Sequence, residues 1–187
     1  MTDPIVTRNE LHFRRIDMRG YARSDGLYEV EGRVVDRKPE AFTSWLDGRD
    51  VPANAPIHDM GVRIIYDKTM KVHAVETFTD AAPYAICPGG GAALQTLVGL
   101  SMTKGWSREV RERLSGAVSC THLMQLLMPL ATVAFQSMGA LRRSNAIERD
   151  ANGRPLKVDS CYAYGAGQEL VKKHWPEFYE PAPDTKG

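Results

Sequence analysis

The chain has 187 residues, enough for one domain with a sizeable core. Its 24 Lys and Arg stand against 23 Asp and Glu, so no net field draws nucleic acid or an anionic membrane to it. Three widely spaced cysteines, Cys87, Cys120 and Cys161, argue against a secreted disulfide framework, and no apolar run reaches the roughly 18 residues of a membrane span.

The amino terminus, MTDPIVTRNELHFRR, lacks an apolar signal core, so a reducing cytoplasm is the expected location, with thiols free or bound to metal. Arginines cluster in LHFRRIDMRGYAR, interrupted by Asp17, and the segment reads equally as a solvated strand face or an anion contact. From there, RRIDMRGYARSDGLYEVEGRVVDRK reads as two strands joined at Asp25-Gly26, a pair suited to a tight turn. Leu27, Glu29, Glu31 and Arg33 alternate with Tyr28, Val30, Gly32 and Val34, which makes one face the more apolar. PEAFTSWLDGRDVPANAP, punctuated by Pro39, Gly48, Pro52 and Pro56, predicts a connection with little regular structure. HDMGVRIIYD and MKVHAVETFTD predict two more strands, turned around Asp67 to Thr69.

The period then changes from two to about 3.6. GGGAALQTLVGLSM predicts a helix with a glycine-rich entry, SREVRERLSG a short amphipathic helix capped by Ser107. A long apolar helix is expected from about Thr121 to Met138, with Leu123, Leu126, Leu127, Leu130, Ala134 and Met138 on one stripe. Pro129 inside it removes a backbone hydrogen bond and predicts a kink. The tail predicts a turn, a short strand and a final short helix. Strands first and helices second give an α+β fold, an antiparallel meander sheet followed by a helical layer. One domain is expected, with an N-terminal hairpin over 12–38, a sheet-and-helix core over 57–140 and a C-terminal tail over 150–187.

Reactive side chains stand beside structural punctuation in three places: His58-Asp59, Tyr84 to Cys87-Pro88, and Cys120-Thr121-His122. Each has a plain alternative. A cysteine is most often a small buried hydrophobe, His58-Asp59 could cap a strand, and His73 suits a surface position. His12 and His174 lie near the chain ends and attract no special role. His122 sits in a first helical turn, where the dipole favours the neutral imidazole that a base or a metal ligand must be. Helix N-termini also favour thiolates, which bears on Cys87 and Cys120. The candidate catalytic residues are therefore His58, Asp59, Tyr84, Cys87 and His122. Cys87, Cys120 and His122 form a candidate metal set for zinc or iron, without the compact CxxC pairs of a strong metal motif.

GYARSDGLYEVEGRVVDRKP, PIHDMGVRIIYD, TDAAPYAICPGGGAALQTLVGLSMTKGW, SCTHLMQLL and LKVDSCYAY, in that order, resemble the bacterial domain of unknown function 2889 family over about residues 13–179. More distantly, the order from His58 to His122 resembles the iron–sulfur cluster scaffold proteins. That likeness implies a related fold, with Asp59, Cys87 and Cys120 or His122 converging as ligands. Ile57 stands where the scaffold has its first cysteine, with His58 beside it.

The preferred expectation for function is a small-molecule enzyme, a lyase cleaving a C–C or C–O bond of a hydroxylated catabolic substrate, aromatic substrates included. His122 or His58 would take the proton, and Tyr84, Asp59 or a metal would hold the developing charge. Tyr28, Phe78, Tyr84, Trp106 and Met124 are the expected apolar neighbours. The alternative is a metal-binding or scaffold-like protein without turnover. A third expectation is an interaction domain in which these Cys and His are only core. Beyond the small molecule, a second copy of the chain is a candidate partner.

Overall fold

The computed structural model describes residues 5–45, 47–139 and 147–181. Residue 140 of the expected core and residues 182–187 of the expected tail lie outside them. The chain divides into two compact units, Met1–Gly139 and Ala140–Gly187.

In the first unit, β1 (Phe13–Ala22) and β2 (Tyr28–Arg37) form a hairpin. Arg23 N–H donates to Leu27 O at 2.9 Å across the loop, and Gly26 takes the positive φ of 84° that the turn requires. Asp25 contributes instead a side-chain acceptor for Leu27 N–H. The connection that follows is not wholly irregular, because β3 (Phe42–Thr43) pairs with β4 (Asp50–Val51). β5 (Pro56–Tyr66) and β6 (Val72–Ala81) form the second long hairpin. Its turn is held by the Asp67 carboxylate, which accepts Thr69 N–H at 2.8 Å. The sheet order is β1-β2-β5-β6, antiparallel throughout, as the meander predicted.

Side chains alternate between the two faces of this sheet. Val30, Val34, Met60, Val62 and Ile64 point inward and are buried in one cluster with Leu94, Leu97, Leu114 and the apolar stripe of the long helix. Polar groups inside that layer are satisfied: Tyr66 Oη donates to Ala134 O at 3.2 Å, and Trp106 Nε1 donates to Leu127 O at 3.1 Å. The outer face carries a lattice of ion pairs. Arg33 bonds Asp59 and Asp80, each at 2.6 Å, and Arg63 bonds Glu31 and Glu76, each at 2.8 Å.

Two helical expectations change in detail. Cys87–Leu97 is a 3-10 segment rather than an α-helix, since its glycines and Pro88 weaken the wider hydrogen-bonded turn. The amphipathic helix α1 (Trp106–Leu114) begins earlier than Ser107 predicts, behind Gly105 at φ 93°. Trp106 is drawn into its first turn because the indole is buried against the long helix α2 (Thr121–Ser137). α2 runs through Pro129 as one element. The packing of its apolar stripe compensates for the missing bond.

Gly61 marks a close approach within the sheet. A Cβ there would lie 2.2 Å from Phe78 Cζ and 2.4 Å from the carbonyl oxygen of Gly32. The ring can turn, but the paired backbone of Gly32 cannot withdraw. Gly61→Ala is expected to cost about 1–3 kcal/mol through overpacking, read from urea unfolding. A variant as stable as its parent would mean that the strands there have slack.

The second unit has its own small cluster of Val158, Ala166, Val171 and Trp175, with helix Glu169–His174 as its main element. No strand occurs among its described residues. The short strand expected in the tail is not found there, and an isolated bridge joins Arg149 and Pro155.

Candidate functional site

The alternation that buries Val30 and Val34 also aims Asp36, the next inward position of β2, at the helical layer. Asp36 is only 1% exposed, a costly place for a carboxylate without partners. Register supplies those partners. Arg14 of β1 stands opposite Asp36, and His58 of β5 stands opposite it on the other side. Arg14 grips the carboxylate with two bonds, Nε to Oδ1 and Nη2 to Oδ2, each at 2.7 Å. His58 Nδ1 lies 3.0 Å from Oδ2, and His12 Nε2 lies 3.2 Å from Oδ1.

α2 completes the group. Its first turn places His122 over the strand ends, with its ring 3.9 Å from that of His58, centroid to centroid, and tilted by 32°. His122 Nε2 lies 3.8 Å from Asp36 Oδ2, too far for a hydrogen bond. One turn further along, Gln125 Oε1 accepts from Arg14 Nη1 at 3.2 Å, so the same arginine ties β1 to the helix.

The electrostatics follow from this crowding. Burial alone would raise the Asp36 carboxyl, but hydrogen bonds from Arg14 and His12 outweigh it and hold the group at about 2. Burial lowers His58 first of all, against the pull of Asp36. Burial also lowers His122, aided by the positive charge of His58 when protonated and of Arg14. Near neutral pH the centre is one carboxylate beside two uncharged imidazoles. His58 is 17% exposed and His122 23%, so both can reach solvent.

Of the candidates read from sequence, His58 and His122 meet here. Asp59 does not, which corrects that expectation. It follows His58 in an extended strand, so it points to the opposite face and is ion-paired with Arg33. There it lines an outer-face hollow of about 360 Å³ among Arg15, Arg19 and Arg37. Phe78 lies on that face too, beneath Arg33, and Trp106 is committed to the core, so neither borders the histidines. Tyr84 is 41% exposed, and its backbone carbonyl accepts Cys87 N–H at 3.1 Å.

The two half-buried cysteines are not members of that group, although Cys120 stands just ahead of His122 in the chain. Cys120 is the N-cap of α2, and its Sγ lies 3.7 Å from Met60 Sδ. Cys120 N–H donates to Gly90 O at 3.2 Å, which brings the 3-10 segment that starts at Cys87 against the start of α2. Among the described residues, the ligand-type atoms that gather are those of Asp36, His58 and His122, not the expected set of Cys87, Cys120 and His122. Cys161 is exposed in the second unit.

Sequence reasoning missed Asp36, Arg14 and His12. A signal for the first was present: the alternation Val30, Gly32, Val34 places Asp36 on the apolar face, where a carboxylate must have a partner. No such signal marks His12.

No curated protein and no solved structure matches the chain, so the likeness to iron–sulfur scaffolds rests on motif order alone. Residues 12–136, well over half of the 187 and including every residue of the histidine centre, match a protein family of unknown function. The chain belongs to that family, DUF2889.

Proposed function

We propose that the protein is a small-molecule enzyme, a lyase, whose acid–base work is done by His58 and His122 over Asp36. The observation that carries this is the 3.0 Å contact of a buried carboxylate with His58 Nδ1, beside a second imidazole that has no hydrogen bond of its own among the described residues. A carboxylate in that position fixes the tautomer and ring orientation of His58. His122, unbonded and partly exposed, is free to accept a proton from a substrate hydroxyl.

For a hydroxylated substrate the step balances as follows. The hydroxyl proton passes to an imidazole, the O–H electrons form a carbonyl, and the adjacent C–C bond breaks. The bonding pair stays on the departing carbon, which then takes the proton back from the imidazolium. Arg14, anchored on Asp36, supplies a fixed positive charge near the developing negative one. In the C–O case a proton leaves carbon, the carbon–carbon double bond forms, and the oxygen departs with that proton.

The test is a panel of hydroxy acids and hydroxylated aromatic compounds, with products followed by mass spectrometry. On a substrate that turns over, His122→Ala is expected to lower kcat by about 10²–10⁴-fold while thermal unfolding stays near that of the parent. Unchanged turnover in that variant would remove the proposed base.

A further inference from the structure

The same three side chains have a geometry that proton transfer does not by itself require. The ligand-type atoms of Asp36, His58 and His122 all lie within 4.8 Å of one another. From Asp36 Oδ2, His58 Nδ1 is at 3.0 Å and His122 Nε2 at 3.8 Å. Donors about 2.0–2.1 Å from one tetrahedral cation stand roughly 3.3 Å apart, so the two separations fall on either side of that spacing.

A plain hydrogen-bond network accounts for only part of this. It explains His58, which is within bonding distance of the carboxylate. It leaves His122 turned to the same oxygen at a distance where no direct bond exists, stacked on a second imidazole. A cation shared by all three atoms accounts for both. The carboxylate is also fixed from behind: Arg14 and His12 engage it at Oδ1, and Arg14 also at Oδ2, as outer-shell groups commonly hold a metal-binding carboxylate.

We propose that Asp36, His58 and His122 bind one divalent cation of borderline softness, zinc or a close neighbour in the first transition row. Two imidazoles and one carboxylate suit such ions, and three protein ligands leave a position open for substrate or water. The cysteines are not ligands. The guanidinium of Arg14 opposes the cation's charge, so the affinity is lower than that of a closed structural zinc site. The inference rests on the proposed function only for the place of the reaction: a bound cation would occupy the imidazole lone pairs that the metal-free reading assigns to proton transfer and would supply Lewis acidity in their stead, and its test needs no turnover.

Protein treated with chelator and dialysed is titrated with Co²⁺, followed by visible absorption, and with Zn²⁺, followed by calorimetry and by displacement of the Co²⁺ signal. One equivalent is expected to bind. His58→Ala and His122→Ala, both at partly exposed positions, are each expected to weaken binding by at least about 10-fold, with circular dichroism unchanged. His73→Ala, whose imidazole pairs with Asp67 at the turn end of the β5–β6 hairpin, is expected to bind as the parent does. Absence of Co²⁺ bands and of Zn²⁺ heat in the parent would overturn the proposal, as would binding that survives both histidine variants or is abolished by Cys87→Ala or Cys120→Ala. Turnover that persists in protein unable to bind either ion would likewise remove the metal and leave the acid–base reading standing. A centre that titrates as expected but converts no substrate supports the metal and counts against the enzyme.

Discussion

Asp36→Asn is expected to destabilise the metal-free protein by about 2–4 kcal/mol at pH 7, because charge-assisted hydrogen bonds contribute about 1.5–3 kcal/mol and Arg14 makes two to this carboxylate. The variant also changes how stability depends on pH. In the parent, Asp36 is held at about 2 against an ordinary value of 3.8. A carboxyl lowered on folding stabilises the native state above its unfolded pKa, and that contribution fades as pH falls through the folded one. The group therefore adds about 2 kcal/mol above pH ~4, lost toward pH ~2. His58 and His122 are lowered as well, so the unfolded chain takes up protons first and stability declines as pH drops below about 6.5. The parent should lose stability in two stages, the imidazoles in mild acid and then the carboxyl. Urea unfolding at pH 7, 5 and 3.5 in the presence of chelator, with further points nearer pH 2, measures both. In Asp36→Asn the lower stage should shrink to what other carboxylates, Asp67 among them, contribute. An unaltered acid limb, or a loss under about 1 kcal/mol at pH 7, would show that the carboxylate is not held as described.

Leu130→Ala is expected to cost about 3–4 kcal/mol, the range for a fully buried leucine whose surroundings cannot close up. Leu130 is 0% exposed and sits over Gly32, where a Cβ would lie 3.1 Å from its Cδ2. The sheet has two ladders beneath it, from β2 to β1 and to β5, and cannot bend to fill the space. The preceding residue is Pro129, so at this point α2 lacks one backbone bond and depends on side-chain packing. Chemical denaturation gives the magnitude. A cost near 1 kcal/mol would place the grip of α2 on the sheet elsewhere along its stripe.

How much of the centre could be read in advance depended on whether a residue's role is local. His122 was legible because its position relative to the start of an apolar helix is a matter of neighbouring residues. His58 was legible as a reactive group but not as half of a split pair. An extended strand sends consecutive side chains to opposite faces, so His58 and Asp59 could never share one site, and the inward run of Met60, Val62 and Ile64 decides which of them joins it. Cysteines drew attention by their chemistry, yet Cys120 packs against Met60 Sδ because the N-cap of α2 faces the core.

Residues close together in the chain already specify the four long strands, the turns at Gly26 and Asp67, the apolar stripe of α2 and the order of sheet before helices. Those features depend on alternation, helical spacing and turn chemistry, all carried by residues a few positions apart. That His12, Arg14, Asp36, His58 and His122 share one place follows from long-range packing. Arg14 and Asp36 lie 22 positions apart, and His122 comes from a third region of the chain. Strand register and the seating of α2 bring them together, and both are settled by the burial of side chains that take no part in the chemistry.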